Sequence, residues 1–200
     1  ALFANCLVGA VTVPLDMKLN LSEQRHIASF SDAKVIVAVD AEALVAAEKI
    51  CQEIRSLKGL FTKDVPAEVV DPLSFEKTCT GWDDLVLIAF TSGTTSSPKG
   101  VMLNWSHLVF EITSITKLFG DLSDLKYLSI LPLHHMFEIT AGLLASLANG
   151  GEVHYVNSIL PHQIIDAMRT QKIRDMLVVP QFLKALRKGI ESEIAKSKIK

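Results

Sequence analysis

The chain has 200 residues, 49% of them hydrophobic, and a formal net charge of −2. That length suits one large domain or two small ones, with ample apolar material for a core. The near-neutral balance leaves no basic footprint for nucleic acid, and no apolar run is long enough to span a bilayer. The three scattered cysteines, Cys6, Cys51 and Cys79, form no CxxC pair and read as buried thiols in a reducing, cytoplasmic setting.

The opening stretch ALFANCLVGAVTVPLD is apolar from residue 1 but has neither a starting Met nor a basic leading segment, so it makes a poor signal peptide. It reads as a helix stopped at Gly9 and a short strand over Val11–Pro14. A helix with no cap at residue 1 points to a chain that is a fragment of something longer. Asn20, with Glu23 three residues on, predicts a capping pair for the helix LSEQRHIASF. Ala33–Val39 is a continuous apolar run of strand length, and Asp40 then caps a helix that is predicted to continue to Gly59. In that helix Leu44, Val45, Ile50, Cys51 and Ile54 fall near one face. Residues 61–84 are mixed and polar, hold Pro66 and Pro72, and read as loop. Leu85–Phe90 is the strongest buried-strand candidate. After a Ser/Thr-rich loop come a short apolar run, Val101–Leu103, and a helix over Ser106–Leu118. The second half repeats the alternation. It has a strand over Leu125–Leu133, a helix over 136–149 ending at Gly150-Gly151, a strand over Glu152–Val156 and a helix with Pro161 in its first turn. A strand over Asp175–Pro180 and a helix from Gln181 follow. Strands that are apolar without alternation, interleaved with helices, predict an α/β fold with a mostly parallel sheet flanked by helices.

The loop after Leu85–Phe90 carries the chemistry. It reads FTSGTTSSPKGV, with Thr91, Ser92, Gly93, Thr94, Thr95, Ser96 and Ser97 ahead of Pro98-Lys99-Gly100. In open parallel sheets ligands sit beyond the carboxyl ends of the strands, which is where this loop leaves its strand. Hydroxyls donate hydrogen bonds, Gly93 lets backbone N–H groups turn toward an anion, and Lys99 adds a point charge suited to phosphate. A Walker-type GxxxxGK[ST] loop does not fit. Counted from Gly93, Pro98 stands where the second Gly belongs and Gly100 where the magnesium-binding hydroxyl belongs.

The stretch resembles the phosphate loop of the adenylate-forming superfamily, which holds acyl-CoA synthetases, luciferases and peptide-synthetase adenylation domains. Phe90, Thr91, Ser92, Gly93, Thr94, Thr95, Pro98, Lys99, Gly100 and Val101 match its pattern, and Ser96 departs from it where the family usually has Gly. A second segment, LPLHHMFEIT over Leu131–Thr140, resembles the family's next motif, a Pro-Leu-x-His at a strand end, with His135 in the matching position. Met136-Phe137-Glu138 looks most like the long-chain fatty acyl-CoA synthetase branch. A weaker likeness covers the Gly-Ala-Val-x-Val-Pro-Leu stretch before Asp16.

The resemblance implies a part of the large N-terminal domain of an adenylate-forming enzyme. Residues 1–122 would be a first α/β subdomain, with the phosphate loop at 91–100, and residues 123–200 the opening of a second. It implies two steps: a carboxylic acid, here a long-chain fatty acid, is activated by ATP with Mg²⁺ as acyl-AMP, then passed to coenzyme A. It assigns Thr91, Ser92, Gly93, Thr94, Thr95 and Lys99 to the phosphates, Thr91 also to Mg²⁺, and His135 and Lys99 to catalysis. The family's later Gly-Tyr-Gly-x-Thr-Glu and Thr-Gly-Asp segments and its C-terminal Lys are missing; Thr80-Gly81 is followed by Trp82. The chain alone is therefore expected not to turn over, with the remainder of a parent enzyme as its partner. Peripheral membrane contact stays open. So do an amino-acid or acyl-carrier-protein adenylating enzyme, and a nucleotide-binding pseudoenzyme tolerant of Ser96.

Overall fold

The computed structural model describes residues 2–61, 81–91, 98–120, 122–156 and 158–198, without the side chains of residues 60, 61, 192, 193 and 195–198. The chain divides into two compact units, Ala1–His107 and Leu108–Lys200.

The first unit begins with α1 (Leu2–Leu7), which ends before Gly9 at a φ of 69°. The expected strand over Val11–Pro14 shrinks to a single parallel bridge between Thr12 and Leu87. Two backbone bonds of 2.9 Å make it, from the Thr12 amide to the Val86 carbonyl and from the Ile88 amide to the Thr12 carbonyl. Helix α2 (Leu21–Phe30) carries the expected capping box: the Glu23 amide donates to Asn20, and the Glu23 carboxylate accepts from the Asn20 amide. Strand β1 (Val35–Ala38) leads through the Asp40 cap into α3 (Ala41–Glu53).

Helix α3 is shorter than its sequence suggests. It stops at Ile54, and β2 (Lys58–Phe61) follows, pairing with β1 in parallel. Residues 55–59 favour a helix locally, but a second strand satisfies the open edge of β1, and the buried Leu57 anchors the turn. The buried stripe of α3 is Ala43, Ala47 and Ile50, while Val45 is exposed. Small side chains let the helix lie close on β1, where Ala38 packs against Ala43 and Ala47. A second cluster joins Ala28, Ile50 and Leu57.

Strand β3 (Leu85–Thr91) is the buried strand the composition predicts, with Val86 and Leu87 fully covered. Its partner β4 (Lys99–Asn104) is longer than expected and antiparallel, an exception to the parallel rule that holds elsewhere. Asn104 ends β4 and caps α4 (Trp105–Phe119), its Oδ1 accepting from the His107 amide at 3.0 Å and the Ser106 hydroxyl at 2.8 Å.

In the second unit β5 (Lys126–Ser129) is the middle strand of a parallel sheet, between β6 (Glu152–Tyr155) and β7 (Asp175–Met176). Both β5 and β7 are shorter than their apolar runs, Leu125–Leu133 and Asp175–Pro180, and end where their ladder pairing ends. A π-helix (Glu138–Leu144) and α5 (Ala145–Ala148) replace the uniform helix predicted over 136–149. The segment ends at Gly150, whose φ of 80° suits Gly. Helix α6 (Pro161–Thr170) opens on Pro161 as expected, and α7 (Pro180–Lys198) closes the chain. Side chains alternate across β5. Leu128 faces Ile164 of α6 and Ile173, while Tyr127 and Ser129 face the other way.

Ile164 is fully buried in that cluster, so Ile164→Ala should cost about 2–5 kcal/mol. Denaturant unfolding reads this directly. A loss below about 1 kcal/mol would mean that α6 is not seated on β5 through this residue.

Candidate active site

The loop's two described ends are held by one hairpin. Thr91 is the last residue of β3, Lys99 the first of β4, and the two are cross-strand partners. The Thr91 hydroxyl lies 3.5 Å from the Lys99 carbonyl oxygen, at the outer limit of a hydrogen bond, and both side chains are exposed. A hydroxyl and an ammonium group therefore stand at the mouth of the loop, on its two flanking strand ends. Ser92, Gly93, Thr94, Thr95, Ser96 and Ser97, between them, lie outside the described residues.

Two motif positions whose value the sequence does not reveal have a packing reason here. Phe90 pairs with Gly100 across the hairpin. A Cβ on Gly100 would meet Ile88 Cγ2 at 3.0 Å and Phe90 Cζ at 3.2 Å, so Gly100 makes room for the Phe90 ring. That ring is met edge-on by Phe30 at 6.1 Å, and Phe30 in turn stacks on His26 at 5.7 Å. The aromatic and the glycine of the motif thus seat the strand end from which the loop departs.

In the second unit His135 is exposed on the turn that follows β5, its ring 4.1 Å from that of His134. The turn is closed by backbone bonds. The His135 amide donates to the Pro132 carbonyl, and the amides of Glu138 and Ile139 both donate to the His135 carbonyl, each at 3.0 Å. His135 therefore sits at the mouth of the π-helix, and its carbonyl is a cap acceptor.

Beneath this turn lies a group that the residue pattern alone does not single out as a site. Glu138 is fully buried, yet both carboxyl oxygens are satisfied. Tyr127 donates to Oε2 at 2.7 Å and Ser129 donates to Oε1 at 2.5 Å. Both donors come from the same face of β5. Gly142 closes the third side, since a Cβ there would stand 2.6 Å from the Tyr127 hydroxyl and 3.0 Å from the Glu138 carboxyl carbon. The π-helical winding is carried by bonds such as that from the Ala145 amide to the Thr140 carbonyl. Burial, then the Glu138 hydrogen bond and charge, push the Tyr127 phenol well above its ordinary range. Burial and then the Glu138 charge push Tyr155 up as well. The available signal was a lone acidic residue in the apolar run FEITAGLL with Gly four positions on.

Among the described residues no cluster of three His, Cys, Asp or Glu side chains could hold a metal ion, and no helix is long and apolar enough to cross a membrane. Cys6 is buried on α1, Cys51 is half-buried on α3 with its thiol pushed up by burial, and Cys79 lies outside the described residues.

The sequence pattern of AMP-binding enzymes matches residues 1–199. The chain belongs to the AMP-binding enzyme family. It is 29% identical over 187 residues to a feruloyl-CoA synthase of Amycolatopsis sp, across 92% of this chain and 36% of that relative. It is 35% identical over 126 residues to long-chain-fatty-acid–CoA ligase 5 of Mus musculus, across 59% of this chain and 17% of the relative. The solved o-succinylbenzoate CoA synthetase of Bacillus subtilis, in complex with its acyl-adenylate intermediate, superposes with a TM-score of 0.80. That match covers 94% of this chain and 47% of the other at 21% identity, and shows a shared α/β fold. The chain thus spans about a third of the length of its feruloyl-CoA synthase relative, at 36%.

The raised Tyr127 phenol gives this AMP-binding chain an alkaline limit. The unfolded state releases the phenolic proton at about pH 10 and the folded state holds it longer, so stability is intact below that pH and falls above it. Unfolding free energies of the natural protein and Tyr127→Phe should run parallel below about pH 10. Above it the natural protein should fall more steeply, by up to about 1.4 kcal/mol per pH unit. Parallel curves throughout would show that Tyr127 is not held in its neutral form.

Proposed function

We propose that this AMP-binding chain serves the joining of a carboxylic acid, by preference a long-chain fatty acid, to the thiol of coenzyme A with ATP as the activator. The observation that carries the reading is the hairpin that sets Thr91 opposite Lys99 at the mouth of the Ser/Thr/Gly loop. In the first step an oxygen of the acid's carboxylate bonds to the α-phosphorus of ATP. The bond from that phosphorus to the bridging oxygen breaks, and pyrophosphate leaves with the electron pair. In the second, the sulfur of coenzyme A bonds to the acyl carbon and AMP departs from it, the thiol having given up its proton.

Ser92, Gly93, Thr94, Thr95 and Lys99 have the task of holding the β- and γ-phosphates while negative charge moves onto pyrophosphate. The exposed Thr91 hydroxyl fits a single oxygen ligand for Mg²⁺, whose remaining partners would be phosphate oxygens and water. When bound, that ion offsets charge on the triphosphate. His135 is the group on the acid side. The residues Met136-Phe137-Glu138 and the 35% identity to the mouse long-chain ligase support a fatty acid, whereas the feruloyl-CoA synthase likeness makes an aromatic acid the competitor. The scattered cysteines support a cytoplasmic location.

Acid-dependent exchange of labelled pyrophosphate into ATP, by the full-length parent enzyme that contains this chain, tests the reading, with the 200-residue chain alone expected to be silent. Oleate should drive exchange above ferulate, acetate and mixed amino acids, and Lys99→Ala should lower the rate about a hundredfold. Exchange with ferulate but not oleate would overturn the fatty-acid assignment. Silence with every acid, from protein that still binds ATP, would leave a nucleotide-binding module.

A further inference from the structure

We propose that Glu138 is a positioning residue that locks the His134–His135 turn to β5. Its carboxyl group stands between Tyr127 and Ser129 and is backed by Gly142. Three observations carry this. First, each oxygen of Glu138 accepts a hydrogen bond from β5 and the residue is fully buried, so it has no open face to offer a substrate. Second, its own amide donates to the His135 carbonyl at 3.0 Å, so the residue clamped by side chain to the strand is bonded by backbone to the turn. Third, the clamp lies at the entry of a π-helix, whose wider winding has to be held by tertiary contacts. Ser146 of α5 and Thr140 turn their hydroxyls back onto the Gly142 and Met136 carbonyls, whereas Glu138 bonds across to β5.

A carboxylate accepts from two hydroxyls at once. A carboxamide of the same shape cannot, because its NH₂ side only donates, and one of the two hydroxyls must turn round or let go. Glu138→Gln therefore loosens the clamp with little change in volume. Ser129→Ala removes one donor and leaves the carboxyl group in place.

If acid activation is the activity, the lock sets where His135 stands relative to the acid; this consequence rests on the function proposed above. The lock itself does not. The experiment therefore has two arms. In the first, imidazole resonances of the six histidines are recorded for the natural chain, Glu138→Gln and Ser129→Ala. His134 and His135 should shift or broaden in both variants, while His26, His107 and His162 stay in place as internal controls of folding; His154, paired with Leu128 beside the mutated strand, is not used as a control. Unmoved His134 and His135 signals in either folded variant would overturn the lock. Should Glu138→Gln fail to fold, Ser129→Ala decides alone. In the second arm, pyrophosphate exchange driven by oleate is measured on the full-length parent enzyme and its variants across acid and ATP concentrations. Glu138→Gln should lower kcat/KM for the acid about ten- to a hundredfold and leave KM for ATP within about twofold. An altered KM for ATP with an unchanged acid response would overturn the acid-side role. Exchange absent from the full-length parent enzyme with every acid would overturn the proposed function, and with it the acid-side role, while the resonances still decide the lock.

Discussion

A carboxyl group taken out of water must find all its hydrogen bonds inside the protein, and Glu138 imposes that demand on the second unit. The answer decides several other choices. Two hydroxyl donors have to lie side by side, which a β-strand supplies through residues two apart, here Tyr127 and Ser129. The helix must come close enough for the contact, which excludes any side chain at position 142. With one face of β5 so committed, Leu128 on the other face is left to build the apolar cluster with Ile164 and Ile173. A polar network on one side of a strand and a dry core on the other give that strand one register and one orientation.

The first unit depends on a different constraint, the satisfaction of backbone edges. Strand β3 is covered on one side by β4 in antiparallel pairing and touched on the other by the single bridge to Thr12. The hairpin brings the two ends of the Ser/Thr/Gly loop to neighbouring positions, so the loop is anchored at both feet. Gly100 admits the Phe90 ring, and Asn104 turns the end of β4 directly into α4.

The candidate site was proposed at the level of residue identity. Thr91, Lys99 and His135 stand out because their neighbours in sequence form an ordered motif, and motifs are local. Glu138 did not stand out as a buried acid, since nothing in FEITAGLL says that two hydroxyls eleven and nine residues upstream face it.

Local rules also account for the element boundaries that the sequence settles unaided. The Asn20–Glu23 box, the Asp40 cap, the stop at Gly9 and the Pro161 start are all contacts within a few residues, and each is where the pattern says. The alternation of apolar strands and helices likewise determines the α/β class. What only the tertiary structure decides are pairings across distance. A helix pattern after Glu53 yields to β2 because β1 needs a partner, and β4 runs antiparallel because it returns directly along β3. The uniform helix after Met136 becomes a π-helix where it packs on β5 with Glu138 and Gly142 against Tyr127. Propensity acts over a few residues, whereas a buried polar group or an open strand edge is answered by whatever the fold brings to it, and that is not written in any one segment.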